Sequence, residues 1–385
     1  LIEDWRYGGF GLYLHWPFCA AKCPYCDFNS HVSNVIDHDA WRTAYLRQID
    51  RYAALTTGRV LNSVFFGGGT PSLMPAETVQ AILDRIRHHW TLANDLEITL
   101  EANPGSVEAT RFAGYAAAGV NRISMGIQAL NDTDLRRLGR IHSVAEARAA
   151  FDIARSHFDR VSFDLIYARQ DQTLADWRAE LSEALSMAVD HLSLYQLTIE
   201  PGTAFGARQD AGGLRGLPTD DLAVDMYEVT RDLCGAAGMP AYEVSNHAAP
   251  GAESRHNLIY WRQGDYIGIG PGAHGRLTLD GTRWATEAFS NPARWLGSSH
   301  DAKSEKPWAA VPHRDRAGEY LMMGLRLSTG IDVLRYENLA KAPLDPSVIA
   351  RLTDLGMVQF DGTTLAATAQ GRMLLNSVIT ELLPD

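Results

Sequence analysis

Residues 12–26 read Leu12-Tyr13-Leu14-His15-Trp16-Pro17-Phe18-Cys19-Ala20-Ala21-Lys22-Cys23-Pro24-Tyr25-Cys26. The first five have β character, aromatic and aliphatic without a turn former. The three cysteines that follow share one short loop, spaced Cys19-x3-Cys23-x2-Cys26. A secreted disulfide scaffold spreads an even set of cysteines along the chain, whereas thiols clustered after a strand point to metal or catalysis. Iron–sulfur clusters use Cys thiolates, normally four for a cubane, and three leave one iron open to an exchangeable ligand. A structural zinc site with His15 or His31 as fourth ligand uses the same donors, and the spacing alone leaves both readings open. The fourth cysteine, Cys234, sits in Leu233-Cys234-Gly235-Ala236-Ala237 and reads as a small buried hydrophobe.

Outward from that loop, β-like runs alternate with helix-like ones. Val64-Phe65-Phe66 ends in Gly67-Gly68-Gly69 and precedes a helical stretch opening at Pro75. Residues 96–100 precede Asn103-Pro104-Gly105 and an alanine-rich helix, and residues 122–125, 161–166 and 192–197 continue the series. These are six strand-then-helix repeats spaced roughly 30 residues apart, as βαβ units require. The pattern predicts an α/β fold with a parallel sheet and helices outside, open or curved into a partial barrel. Cys19, Cys23 and Cys26 follow the first strand, and Gly67 to Thr70 follow the second. Glu101 ends the third, Gln128 follows the fourth, and Asp164 and Gln196 lie late in the fifth and sixth. Ligands bind where the carboxyl ends of parallel strands converge, so these positions describe one large site.

After about Pro201 the pattern changes. Residues 219–237 predict a helix and 240–245 a strand, while 246–285 are rich in Gly, His and aromatics without a clear period. From about Lys306 a separate unit opens, with helices near 319–327 and 346–355. Runs at 357–360 and 365–367 are then joined by Asp361-Gly362 as a hairpin, and a closing helix covers 369–383. This order predicts a winged-helix-like α+β module, mildly acidic, from which DNA binding is not expected. The expected division is 1–245, 246–305 and 306–385. Over the 385 residues, 46% hydrophobic and 21% charged is ordinary globular composition. The net charge of −11 opposes non-specific nucleic-acid binding. No apolar run approaches the roughly 20 residues of a membrane-spanning helix, which leaves only peripheral membrane contact open. Leu1-Ile2-Glu3-Asp4-Trp5 lacks the basic and apolar regions of a signal peptide. A cytoplasmic protein is expected, and the start on Leu1 reads as a trimmed chain.

The stretch from Tyr13 to Cys26 resembles the radical S-adenosylmethionine (SAM) signature, in the form carried by the oxygen-independent coproporphyrinogen dehydrogenase family. The likeness continues through Gly67-Gly68-Gly69-Thr70-Pro71, Glu101-Ala102-Asn103-Pro104-Gly105 and Ser124-Met125-Gly126-Ile127-Gln128. It then passes through Leu138-Gly139-Arg140 with His142, and Asp164-Leu165-Ile166-Tyr167, covering residues 13 to about 275 in the family's order. The resemblance implies a partial (β/α)6 TIM-like barrel with a C-terminal winged-helix-like domain. It implies a [4Fe-4S] cluster on Cys19, Cys23 and Cys26, with SAM bound at the open iron and cleaved by one electron. Tyr25 then packs on the adenine, while Gly67, Gly68 and Gly69, beside Thr70, let backbone approach the methionine moiety. Glu101, Gln128, Arg140 and Asp164 hold SAM's ammonium, carboxylate and ribose hydroxyls. Tyr13 and Gln196 belong to the same cofactor-binding set.

Departures from the dehydrogenase pattern steer towards the family's haem-chaperone branch. The dehydrogenase carries a fourth Cys two residues after the third, where this chain has Phe28, and a long segment before the signature Tyr, where this chain has twelve residues. Ala168-Arg169-Gln170-Asp171 replaces a Gly- and Pro-containing turn, with no evident catalytic consequence. His256-Asn257-Leu258-Ile259-Tyr260-Trp261 resembles a motif which that branch associates with haem, implying contacts from His256, Asn257, Tyr260 and Trp261. Neutral imidazole is a usual axial ligand of haem iron. Without the likeness, His256 reads as a residue that hydrogen-bonds in a packed loop; His274 is a second candidate. The expected function is a haem chaperone that passes haem to an acceptor protein, its cluster served by an electron donor. The alternative is radical decarboxylation of coproporphyrinogen III, or another reaction on a tetrapyrrole. Two further motifs are discounted. Gly270-x-Gly272-x-x-Gly275 is followed by residues 276–280, which read as β or loop rather than helix, and Gly67–Pro71 lacks the phosphate-loop Lys.

Overall fold

Residues 3–33, 35–300 and 303–383 are described by a computed structural model. Six strands run parallel in chain order: β1 (Phe10–Trp16), β2 (Val60–Gly68), β3 (Thr91–Ala102), β4 (Arg122–Gln128), β5 (Arg160–Tyr167) and β6 (His191–Gln196). Helices such as His38–Leu55, Ala76–His89, Val144–His157 and Leu174–Met187 connect them. Two of these helices open with reciprocal capping boxes, Ser143 with Glu146 and Thr173 with Asp176, each contributing about 1 kcal/mol. Beyond the sixth strand, β7 (Asn246–Ala248) closes one edge antiparallel to β6. On the other edge β8 (Asp265–Ile269) lies parallel to β1, followed antiparallel by β9 (His274–Leu279) and β10 (Thr282–Glu287). The result is the expected partial α/β barrel, widened at both edges.

The pleat decides what fills the barrel. Along β4, Ile123, Met125 and Ile127 are fully buried in the main hydrophobic core. The alternate positions Arg122, Ser124, Gly126 and Gln128 line cavities in the lumen, as a period of two demands. The same phase turns Tyr13 and His15, Glu101, Asp164, and His191, Ser193 and Tyr195 inward from β1, β3, β5 and β6. A helix over Arg255–Trp261 packs across the amino ends of β1 and β2. Its approach needs Gly11, where a Cβ would stand 2.9 Å from Ile259 Cδ1.

Three expectations are corrected. The strand expected over 240–245 is a bent loop, because the buried Glu243 carboxylate accepts the Ser245 N–H at 3.2 Å and the Asn246 amide; the strand starts at Asn246. A local side-chain acceptor has displaced ladder bonding there. The apparently aperiodic stretch 246–285 holds one helix and most of four strands, all too short to show a period. The closing helix breaks at Leu374 into Ala369–Met373 and Leu375–Leu382. That last piece packs into a C-terminal core of its own, with Leu321, Tyr336 and Leu365. Around this core, helices His313–Gly324, Val333–Ala340 and Pro346–Asp354 meet a three-stranded sheet of Ile331–Asp332, Val358–Phe360 and Thr364–Ala367, the expected winged-helix-like arrangement.

Candidate functional site

Two adjoining cavities occupy the barrel. The outer one, about 340 Å³, is lined by Cys19, Cys23, Cys26, Tyr25, Gly68, Gly69, Thr70, Glu101, Gln128, Arg140, Asp164 and Gln196. Nearly every residue expected around the cluster and SAM is therefore on one wall. Gly67 and Tyr13 are the exceptions: Tyr13 lines the inner cavity instead, and Gly67 lies just behind, where a Cβ would stand 2.9 Å from the Tyr13 ring. The inner cavity, about 470 Å³, is lined by Tyr13, His15, Phe65, Arg122, His191, Ser193, His256, Asn257, Tyr260, Tyr266 and His274. Phe28, Gly68, Glu101, Ser124, Asp164 and Tyr195 belong to both linings, so the two spaces meet at the carboxylates.

The cysteine loop is held from several sides. Arg140 Nη1 lies 3.4 Å from Cys23 Sγ, while its Nη2 donates to Gly126 O at 2.8 Å and to Asn103. Asn103 in turn donates to Thr70 Oγ1 at 3.2 Å. Burial raises the thiol pKa values of Cys19 and Cys26, opposed by hydrogen bonds that include Thr70 for Cys19 and Ser30 for Cys26. Gly69 passes so close that a Cβ would sit 2.7 Å from Phe18 O and 3.0 Å from Cys19 Sγ. Three free thiols beside a guanidinium, in a cradle that excludes a side chain at Gly69, fit a cluster held by thiolates. Bound there, a cluster with SAM supplies one-electron chemistry. The chain's own part is to hold thiolates, with Arg140 as counter-charge, and to keep acceptors facing the outer cavity.

Those acceptors are Glu101 and Asp164. Burial, then the neighbouring Asp164 charge, pushes Glu101 up to about 8, although the Gly68 N–H donates to it at 3.2 Å. Burial likewise raises Asp164 to about 6, opposed by the Ser193 hydroxyl and the charges of Arg122 and Arg140. A pair of desolvated carboxyl groups awaits a cationic or donor-rich partner. Gln128 is held at φ 74°, a left-handed conformation, and its Oε1 is buried without a partner among the described residues. Strain and an orphaned acceptor together are characteristic of functional positions.

The residues of the second motif separate. His256 stacks on Phe65 with centroids 4.1 Å apart, and edge-on to Tyr260 at 4.5 Å. Burial, then the charge of Arg122, lowers it to about 3, so it is a neutral imidazole on the inner cavity wall. Tyr260 and Asn257 line the same cavity, Asn257 also donating to Tyr242 OH at 3.4 Å. Trp261 instead packs in a small cluster with Tyr242, Ala248 and Leu327, away from both cavities. His15 bridges Tyr13 OH and Asn29 O, each at 2.9 Å, and does not turn to the cysteines. Reading by motif missed Arg122, His191, Ser193 and Tyr195. The alternation of β4 puts Arg122 in phase with Gln128, but His191, Ser193 and Tyr195 fall out of step with Gln196, and only the register with β5, which sets Ser193 beside Asp164, brings them to light.

The radical SAM superfamily model matches residues 13–183, and the HemN C-terminal domain model matches residues 311–374. The heme chaperone HemW of Escherichia coli is 39% identical over 97% of this chain and 98% of its own length. The heme chaperone HemW of Haemophilus influenzae is 38% identical, again over 97% and 98%. A bovine relative, the mitochondrial radical S-adenosyl methionine domain-containing protein 1, is 36% identical over 97% of this chain and 87% of its own. In fold, the chain is similar to coproporphyrinogen III oxidase (HemN) from Escherichia coli, with a TM-score of 0.81 at 23% identity over 98% and 91% of the two chains. Among the described residues, no helix is long and apolar enough to cross a membrane. With the cysteine loop, the paired carboxylates and the barrel in place, these likenesses put the chain in the radical SAM superfamily, in the group that includes the heme chaperones HemW.

Proposed function

We propose that the chain is a haem chaperone on a radical SAM scaffold. It holds a [4Fe-4S] cluster on Cys19, Cys23 and Cys26, and SAM against Tyr25, Gly67 to Thr70, Glu101, Gln128, Arg140, Asp164 and Gln196. Haem is its cargo, passed to an acceptor protein. The observation that carries this reading is His256, a neutral imidazole on the wall of a lumen that opens to the cysteine loop, in a chain 39% identical to a heme chaperone. Tyr13, Asn257 and Tyr260 line that wall with it. Residues 1–245 then carry cluster and SAM, 246–305 supply the haem side, and 306–385 form the module free to meet an acceptor. A cytoplasmic protein that binds no nucleic acid and draws on a separate electron donor completes the reading.

Anaerobic reconstitution with iron and sulfide, followed by haem titration, tests it. His256→Ala is expected to weaken haem binding roughly tenfold or more, with the cluster spectrum unchanged. Unchanged affinity in that variant removes His256 from the site. One observation favours a second reading: the inner cavity adjoins the SAM side directly, where a radical enzyme keeps its substrate. Anaerobic turnover of coproporphyrinogen III would therefore replace the chaperone with a decarboxylase.

A further inference from the structure

The lumen of a (β/α) barrel is ordinarily packed solid with branched apolar side chains. Here it holds an open space of about 470 Å³ with a buried cation at its floor. Arg122, on the first residue of β4, is 2% exposed. Three other arginines are buried, the most exposed at 9%, and each meets a carboxylate. Arg169 lies 3.0 Å from Asp134 and 2.6 Å from Glu180, Arg283 lies 2.7 Å from Asp265, and Arg316 lies 3.2 Å from Asp4. Arg122 has no such partner among the described residues. Its Nη2 donates to the Ser162 hydroxyl at 3.0 Å, and its Nε is buried without an acceptor. Nearby on the same floor, His191 Nδ1 and Asn246 Oδ1 are also buried without partners among the described residues. A charge removed from water persists only when it is paired, and this one faces the lumen. Its field reaches Asp164, His191 and His256.

Around the cation the walls are flat and unsaturated: Tyr13, Phe65, His256, Tyr260 and Tyr266. We propose that Arg122 is the anchor of a carboxylate subsite at the floor of the lumen, which takes a propionate arm of the tetrapyrrole while the ring walls take its apolar body. This rests on the haem reading but does not stand or fall with it, because the carboxylate arms are common to haem and to coproporphyrins. A guanidinium fork matches a carboxylate through two parallel hydrogen bonds, and an ester can neither carry the charge nor complete that pair.

The test compares haem with its dimethyl ester, both delivered in the same detergent, on the cluster-loaded full chain. The wild type is expected to prefer the free acid by roughly tenfold or more, the range of a hydrogen bond to a charged group. Arg122→Gln is expected to bind both forms alike, near the affinity of the ester. Arg122→Lys, which keeps the charge and loses the fork, should fall between them, and it serves in place of Arg122→Gln if that variant does not fold. Equal affinities in the wild type, or a preference undiminished in the folded variants, would overturn the subsite. If the wild type binds no haem, the haem reading fails by itself. The same comparison with coproporphyrin III and its tetramethyl ester then decides: an Arg122-dependent preference upholds the subsite, and no preference or no binding rejects it.

Discussion

Glu101 carries its chemistry in its desolvation. Burial and the Asp164 charge raise it to about 8, so the folded chain holds its proton more tightly than the unfolded one does. A raised carboxyl contributes stability that is complete below its unfolded value and is lost as pH rises through the folded value. The thermal unfolding temperature of the cluster-free protein is therefore expected to fall by several degrees as pH rises from about 5 to about 8, and Glu101→Gln should flatten most of that slope. An equal slope in the variant would assign the dependence elsewhere. The residue was legible in the motif Glu101-Ala102-Asn103-Pro104-Gly105; its coupling to Asp164 was not, because 63 positions of chain separate them (164 − 101 = 63). Folding brings the two together across β3, β4 and β5.

At the level of elements, the turn after β2 and the cysteine loop form one unit. Gly69 N donates to Trp16 O at 2.7 Å and Thr70 N donates to Phe18 O at 2.8 Å, tying the turn to the start of the loop. A Cβ at Gly69 would meet both a backbone oxygen and the Cys19 sulfur, and backbone cannot yield as a flexible side chain does. Gly69→Ala is expected to cost about 1–3 kcal/mol by overpacking. It should also lower the iron and sulfide content after reconstitution, measured per chain. Full cluster loading in the variant would show that the loop tolerates the displacement. The sequence showed the glycine run, while the reason for it at Gly69 comes from the neighbour that β1 delivers.

Over the whole molecule, the C-terminal module is fastened to the barrel by charges. Asp4, just before β1, takes Arg335 at 2.8 Å and Arg316 at 3.2 Å from the module, and Arg276 of β9 reaches Glu319 at 2.8 Å. Burial works to raise the Asp4 pKa, but Arg335 and Arg316 together hold it below its usual 3.8. The stability contributed is present above the unfolded value and lost as pH falls through the folded one. Asp4→Ala leaves two largely buried guanidinium groups without their partner, and is expected to destabilise by about 1–3 kcal/mol, less than a fully buried pair because some water reaches the site. Proteolysis should then cut more readily near residues 303–312. Unchanged stability and unchanged cleavage would show that apolar contacts fasten the module instead.

Sequence by itself determined the parts that local pattern controls. Strand–helix alternation implied the barrel, the three-thiol spacing implied the metal loop, and the hairpin turn at Asp361-Gly362 implied the wing. Each depends on residues close in the chain, where propensity and spacing act directly. Sequence also placed Cys19, Cys23, Cys26, Glu101 and Asp164 at one rim, because the carboxyl ends of parallel strands share a direction. Tertiary structure alone decided what lies inside. Trp261 turns to the Tyr242 cluster while His256, five residues earlier, faces the lumen (261 − 256 = 5), since helical positions that far apart do not share a face. It also decided that Arg122 is buried with no carboxylate at ion-pair distance among the described residues, a fact about the side chains of six strands and a closing helix. Burial and the lack of a direct ion pair are properties of a whole environment, and a chain acquires them only when distant segments meet.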